Sequence, residues 1–199
     1  MAASRSRRDP RAGARLPEAR PDPPHWYAAF VFESSYAKPP SEEDLSLLRK
    51  AKERVIGAAM SAEKRKRLLD YLALGEGANL GRFPIVQTEA IANKYLDGAI
   101  TEDHFDFEAR LMAAWRSGKI SGFIDAESVA LDTRELSSAE RRLAKKMLAL
   151  AKTKSPIIMA IAVSSLRVYY SGADGEARST LLSQAMQLVE SAPDAEAQS

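Results

Sequence analysis

The chain has 199 residues, 45% of them hydrophobic and 28% charged, with a formal net charge of +2; that is ordinary composition for one globular domain with a buried core. The absence of cysteine excludes disulfides, thiolate catalysis and cysteine-ligated zinc or iron–sulfur centres. The only two histidines, His25 and His104, lie too far apart for a histidine-rich metal site.

Residues 1–25 carry six arginines, five prolines and three acids without an apolar stripe, so a disordered basic tail is expected over 1–24. It has no apolar stretch of the kind a secretory signal needs. Pro10, Pro17 and Pro21 interrupt the amphipathic helix of an organelle transit peptide, which leaves a cytoplasmic or other intracellular location as the expectation and import as the less supported option. A single helical domain is expected over 25–192, with 193–199 frayed.

His25 to Tyr36 (HWYAAFVFESSY) is the most aromatic part of the chain and is bounded by Pro23-Pro24 and Pro39-Pro40. It reads as a short helix in preference to a strand, its aromatics Trp26, Tyr27 and Phe30 either anchoring it to the core or docking a partner. Ser41, followed by Glu42, Glu43 and Asp44, opens the next helix with a weaker form of the capping box. Leu45, Leu48, Val55, Ile56 and Ala59 form its expected buried stripe. Ser61 starts another helix with Leu68, Leu69 and Leu72 inward, stopped by Gly75 and Gly77. The glycine loop from 75 to 81 lacks the Lys-Ser/Thr of a phosphate-binding loop and reads as a connection. Pro84 begins a helix that runs to an Asp97-Gly98 corner, where glycine supplies the positive φ of a helix stop.

Thr101 then caps a new helix, with Glu102 and Asp103 in the dipole-favoured first turn. Phe105, Phe107, Leu111, Met112 and Trp115 give it an apolar stripe. Gly118, Ser121 and Gly122 break the pattern, leaving at most a short helix over 125–131. Ser137 and Glu140 make a full capping box for a helix with Leu143, Met147, Leu150 and Ala151 on one side. An apolar helix from Pro156 to Tyr170 and an amphipathic one over 177–191 close the chain. The run 156–166 is too short to span a bilayer and reads as a core helix. With no alternating strands and no fixed repeat, the expected fold is all-α, an irregular bundle of about seven helices.

Two short resemblances arise around the corner. Gly98, Ala99, Ile100, Thr101 and Phe105 resemble the second half of an EF-hand loop, but His104 stands where calcium needs a bidentate glutamate and Tyr95 where an oxygen ligand is usual. Leu96, Gly98, Ile100, Thr101, Glu102, Phe105 and Met112 resemble the SHOCT motif, a helical hairpin, over about 25 of the 199 residues. That resemblance implies an oligomerisation or protein-contact role, with Phe105 and Trp115 as contact residues. No cofactor or metal is implied.

Charge distribution supplies the other lead. There are eight basic residues and two acids between Arg49 and Arg67, and seven and two between Arg134 and Lys154. Arg54, the Lys64-Arg65-Lys66-Arg67 cluster, and Arg141, Arg142 and Lys145 are the candidate contacts to nucleic-acid phosphates. No aromatics interleave them, so a sequence-reading interface has little support. Catalytic chemistry has no positive sign: His104 lies one turn before Glu108, yet no serine sits in a nucleophile elbow. The expectation is a non-enzymatic helical interaction module, a regulator or accessory subunit that binds a protein partner or itself, with phosphate-backbone binding as the alternative.

Overall fold

The computed structural model describes residues 37–77, 81–170 and 175–195, with the backbone alone for 168–170 and 175–179. Among the described residues eight α-helices follow one another: α1 (Glu42–Gly57), α2 (Ala62–Leu74), α3 (Phe83–Leu96), α4 (Glu102–Arg116), α5 (Ile120–Ala130), α6 (Ser138–Ala151), α7 (Pro156–Tyr170) and α8 (Gly175–Ser191). A 3-10 turn, Leu131–Thr133, follows α5, and no strand occurs among the described residues. The all-α expectation holds. None of the described helices is long and apolar enough to cross a membrane.

Helix ends follow local chemistry. Ser41 and Asp44 complete a capping box at α1, as do Ser137 and Glu140 at α6. The Ser61 side chain accepts from the Lys64 amide at 3.2 Å and the Thr101 side chain from the His104 amide at 3.3 Å. At the Asp97-Gly98 corner the Gly98 amide donates to Tyr95 O at 3.2 Å and the Ala99 amide to Lys94 O at 2.8 Å, a Schellman closure with Gly98 at φ +70°. The same closure ends α4, where Gly118 has φ +70° and the Lys119 amide donates to Ala114 O at 2.8 Å.

Three helices, α1, α2 and α3, pack on one another, and α6, α7 and α8 form a second trio. Between them runs α4, which touches α2 and α3 on one side and α5 and α7 on the other. Its buried face carries Phe105, Phe107, Leu111 and Met112, so the helix that opens after the corner is the axis of the core. Arg116 at its end donates to the carbonyls of Ala73 and Leu74, both at 2.8 Å, and so closes the C-terminus of α2. Gly75, just beyond α2, is needed for close approach: a Cβ there would stand 2.3 Å from the Thr88 hydroxyl and 3.1 Å from the Pro84 carbonyl of α3.

Three expectations change. The short helix expected over 125–131 is an eleven-residue helix starting at Ile120. Gly118 is the break; Gly122 lies within α5 with open space around it, and burial of Ile120 and Ile124 outweighs its entropic cost of about 1 kcal/mol. On α1 the buried face is Leu48, Ala51 and Val55, while Leu45 is 41% and Ile56 60% exposed. At 100° per residue the latter two lie roughly 100° around the helix from the buried line. Of the stretch 193–199 expected to fray, the described residues are tied down: the Lys154 ammonium, buried, donates to Ala192 O at 2.6 Å and Asp194 Oδ1 at 2.8 Å, and the Ala195 amide donates to Thr153 O at 2.9 Å, while 196–199 lie outside the described residues.

Candidate functional site

The basic residues singled out for phosphate contact are largely engaged inside the fold. Arg54 donates to Asn93 Oδ1 at 2.9 Å and pairs with Asp97, linking α1 to the end of α3. Arg67 pairs with both Glu102 and Asp106 of α4, and Lys66 with Asp70 at 2.7 Å. Lys64 Nζ lies 4.2 Å above the Tyr95 ring. Arg65 donates to Ala58 O at 2.9 Å. On α6, Arg141 donates to the carbonyls of Leu131, Arg134 and Leu136 at 3.1, 3.2 and 3.3 Å, and Lys145 pairs with Asp132 at 2.8 Å. Arg142 is exposed. Lys152 pairs with Asp125 at 2.8 Å, and Lys154 is the buried tie described above. Much of what reads in sequence as two basic faces is thus taken up by links within the fold, most of them from α1, α2 and α6 to their neighbours.

The corner concentrates these links. Tyr95 donates its hydroxyl to Glu102, whose other oxygen accepts from Arg67. Burial and the Glu102 carboxylate push the Tyr95 phenol up to about 12. The Tyr95 hydrogen bond, with Arg67, holds the Glu102 carboxyl below its ordinary value, and the Arg54 hydrogen bond lowers Asp97 in the same way. The Asn93 and Asp97 oxygens, at positions resembling EF-hand ligands, face the Arg54 guanidinium.

Because the folded Tyr95 binds its proton more tightly than an unfolded tyrosine of pKa 10.0, its contribution is fully present below pH 10 and is lost as pH rises toward about 12. Tyr71, pushed well above the ordinary value by burial and by Glu108, acts in the same direction. A near-ultraviolet alkaline titration should therefore show Tyr71 and Tyr95 failing to ionise near pH 10 while the fold survives. Tyr95→Phe should remove one late-titrating group. If it leaves the late phase unchanged, the Tyr95–Glu102 link is wrong.

The aromatic contact residues separate. Trp26, Tyr27 and Phe30 lie outside the described residues. Phe105, expected as a contact residue, is only 1% exposed: it stacks on Tyr95 at 4.4 Å and meets Tyr71 edge-on at 5.1 Å. A side chain enclosed by two rings cannot present itself to a partner, so that assignment is corrected to a core role. Trp115 is half-buried and leans on Phe83 at 5.4 Å.

Two features escape local sequence reading. Along α1, Leu45 and Ile56 are eleven residues apart and only 20° apart around the helix, about 16 Å end to end, with exposed Arg49 and part-buried Lys52 between them. Beside this strip lies a hollow of about 460 Å3, lined by Leu45, Leu48, Arg49, Lys52, Glu76 and Gly77. Only the choice of which face of α1 is buried against α2 and α3 reveals the strip. The second feature is Glu108, a carboxylate 1% exposed on the inner side of α4. Its oxygens accept from Gln87 Nε2 of α3 at 3.0 Å and from the Ser164 hydroxyl of α7 at 2.7 Å, and His104 Nε2 lies 3.6 Å away. Gln87 and Ser164 also border a cleft of about 230 Å3 walled by Phe83, Leu111 and Ile161.

Ser164 donates to the carboxylate and not to the imidazole, so these residues do not form a nucleophile–base pair of the Ser–His kind. With both oxygens accepting, Glu108 is arranged as a polar tie among three helices. Set against protein-family models, curated proteins and solved structures, the chain finds no match in any of the three comparisons.

Proposed function

We propose that this chain is a non-enzymatic helical interaction module, a regulator or accessory subunit that makes its contact through the outer strip of α1. The observation that carries the reading is the pair Leu45 and Ile56, 41% and 60% exposed on one line of one helix and bordered by a hollow. The engagement of the basic residues in links within the fold supports it further, because a cation already paired with a carboxylate releases fewer counterions on meeting a phosphate. The first partner to test is a second copy of the chain, which the resemblance of the corner to a SHOCT hairpin also favours.

The test is light scattering coupled to size exclusion on the full chain, at about 50 and 200 mM salt, with and without a mixed oligonucleotide. The expected result is a defined oligomer that ignores salt and oligonucleotide and dissociates in the Leu45→Asp/Ile56→Asp double variant. A monomer that gains mass with oligonucleotide only at the lower salt would overturn the reading in favour of phosphate-backbone binding.

A further inference from the structure

Away from the α1 strip, on the outer side of α4, arginines from three separate elements border one groove. Arg110 belongs to α4, Arg134 to the segment before α6, and Arg167 to α7. Together with Asp103 and Asp106 they line a groove of about 660 Å3, and the small side chains of Ala109 and Ala113 keep its wall low. Two of them, Arg110 and Arg167, place positive charge on the same groove, which is unfavourable unless something opposes their repulsion. The groove's own acids do so incompletely. Asp106 is committed to Arg67 of α2, and Asp103 sits two turns of α4, about 10 Å, from Arg110.

Among the described residues neither Arg110 nor Arg167 is ion-paired. Arg167 is held in place by the face of Phe107, 5.7 Å from its Cζ, and its buried Nε has no acceptor. A guanidinium oriented by a ring at the edge of a groove, with no carboxylate paired to it among the described residues, is suited to a planar or tetrahedral oxyanion. Arg110 is exposed at the same groove.

We infer that this groove is a binding site for a phosphate-bearing small molecule, with Arg110 and Arg167 as the main phosphate contacts and Arg134 at its border. A phosphate ester offers several oxygens and close to two charges, matching two guanidiniums on one groove better than a single carboxylate does. The volume leaves room for the organic part of the ester alongside Ala109 and Ala113. The site is independent of the α1 contact face, so loss of one reading leaves the other standing.

The experiment is isothermal titration of the full chain with inorganic pyrophosphate, and separately with a nucleoside monophosphate, at constant ionic strength made up with chloride. The expected result is saturable binding of one equivalent, weakened at least about tenfold by Arg110→Gln and by Arg167→Gln and unchanged by Lys50→Gln on the exposed side of α1. Stronger binding of the monophosphate than of pyrophosphate would assign the organic part to the groove; the reverse would confine recognition to the phosphates. Arg167 also packs on Phe107, so if its variant melts early, the exposed Arg110 decides the matter. Heats that do not saturate, or a loss in Lys50→Gln equal to that in Arg110→Gln, would overturn the assignment.

Discussion

Phe105→Ala is expected to lower stability by about 4 kcal/mol, within the range for emptying a buried phenylalanine site. Phe105 is almost fully buried, stacked on Tyr95 with ring planes 15° apart and meeting Tyr71 at 70°. Truncation therefore removes two aromatic pairs as well as the apolar area, and α2 and α3 close around the gap only as far as their own packing allows. For a domain of this size the loss corresponds to roughly 8–16 °C in melting temperature. The measurement is urea unfolding of the variant beside Val129→Ala, whose side chain is 71% exposed and whose loss should stay within about 0.5 kcal/mol. If the two variants unfold at the same denaturant concentration, Phe105 is not the core residue described above. The same pair distinguishes the core role from a contact role, because a contact residue would change assembly and leave the midpoint in place.

The parts legible in the sequence are those whose chemistry is local. Ser41, Ser61, Thr101 and Ser137 each cap a helix through an amide three residues on, and Gly98 closes one through bonds within six residues. Such signals need no knowledge of the neighbours. What failed depends on how a helix is rolled against its partner. Leu45 and Ile56 belong to a run that looks inward by composition, yet α1 is rolled so that Asp44, Leu48, Ala51 and Val55 face α2 and α3. Asp44 is buried there because Arg82 reaches it at 2.7 Å; burial pushes its carboxyl up, but Arg82 and Ser41 outweigh that and hold it below the ordinary value. The basic clusters hide their partners for the same reason. Arg67 finds its acids 35 and 39 residues away, and Arg54 finds Asp97 43 away, distances at which no spacing rule operates. Arg110, Arg134 and Arg167 are unremarkable one at a time, and only the placement of α4 beside α7 brings them together.

Glu108 is the residue whose role is least visible in the chain and whose removal has the second large effect. Between Phe107 and Ala109 it looks like an ordinary surface acid, but its partners arrive from α3 and α7, 21 and 56 residues away. Glu108→Ala is expected to cost about 3 kcal/mol, because it empties the site of a side chain that is 1% exposed and deprives the part-buried Gln87 amide and Ser164 hydroxyl of their acceptor. The Tyr71 hydroxyl, already without a partner, loses a nearby negative charge and gains nothing. Glu108→Gln keeps one acceptor oxygen and should cost about half as much. The check is a double-mutant cycle with Ser164→Ala, in which a tie between α4 and α7 gives a coupling of about 1 kcal/mol or more. Additive effects would remove the tie. A wild-type midpoint for Glu108→Ala would go further and remove the structural role altogether, leaving the cleft beside Gln87 and Ser164 as the place to test for another one.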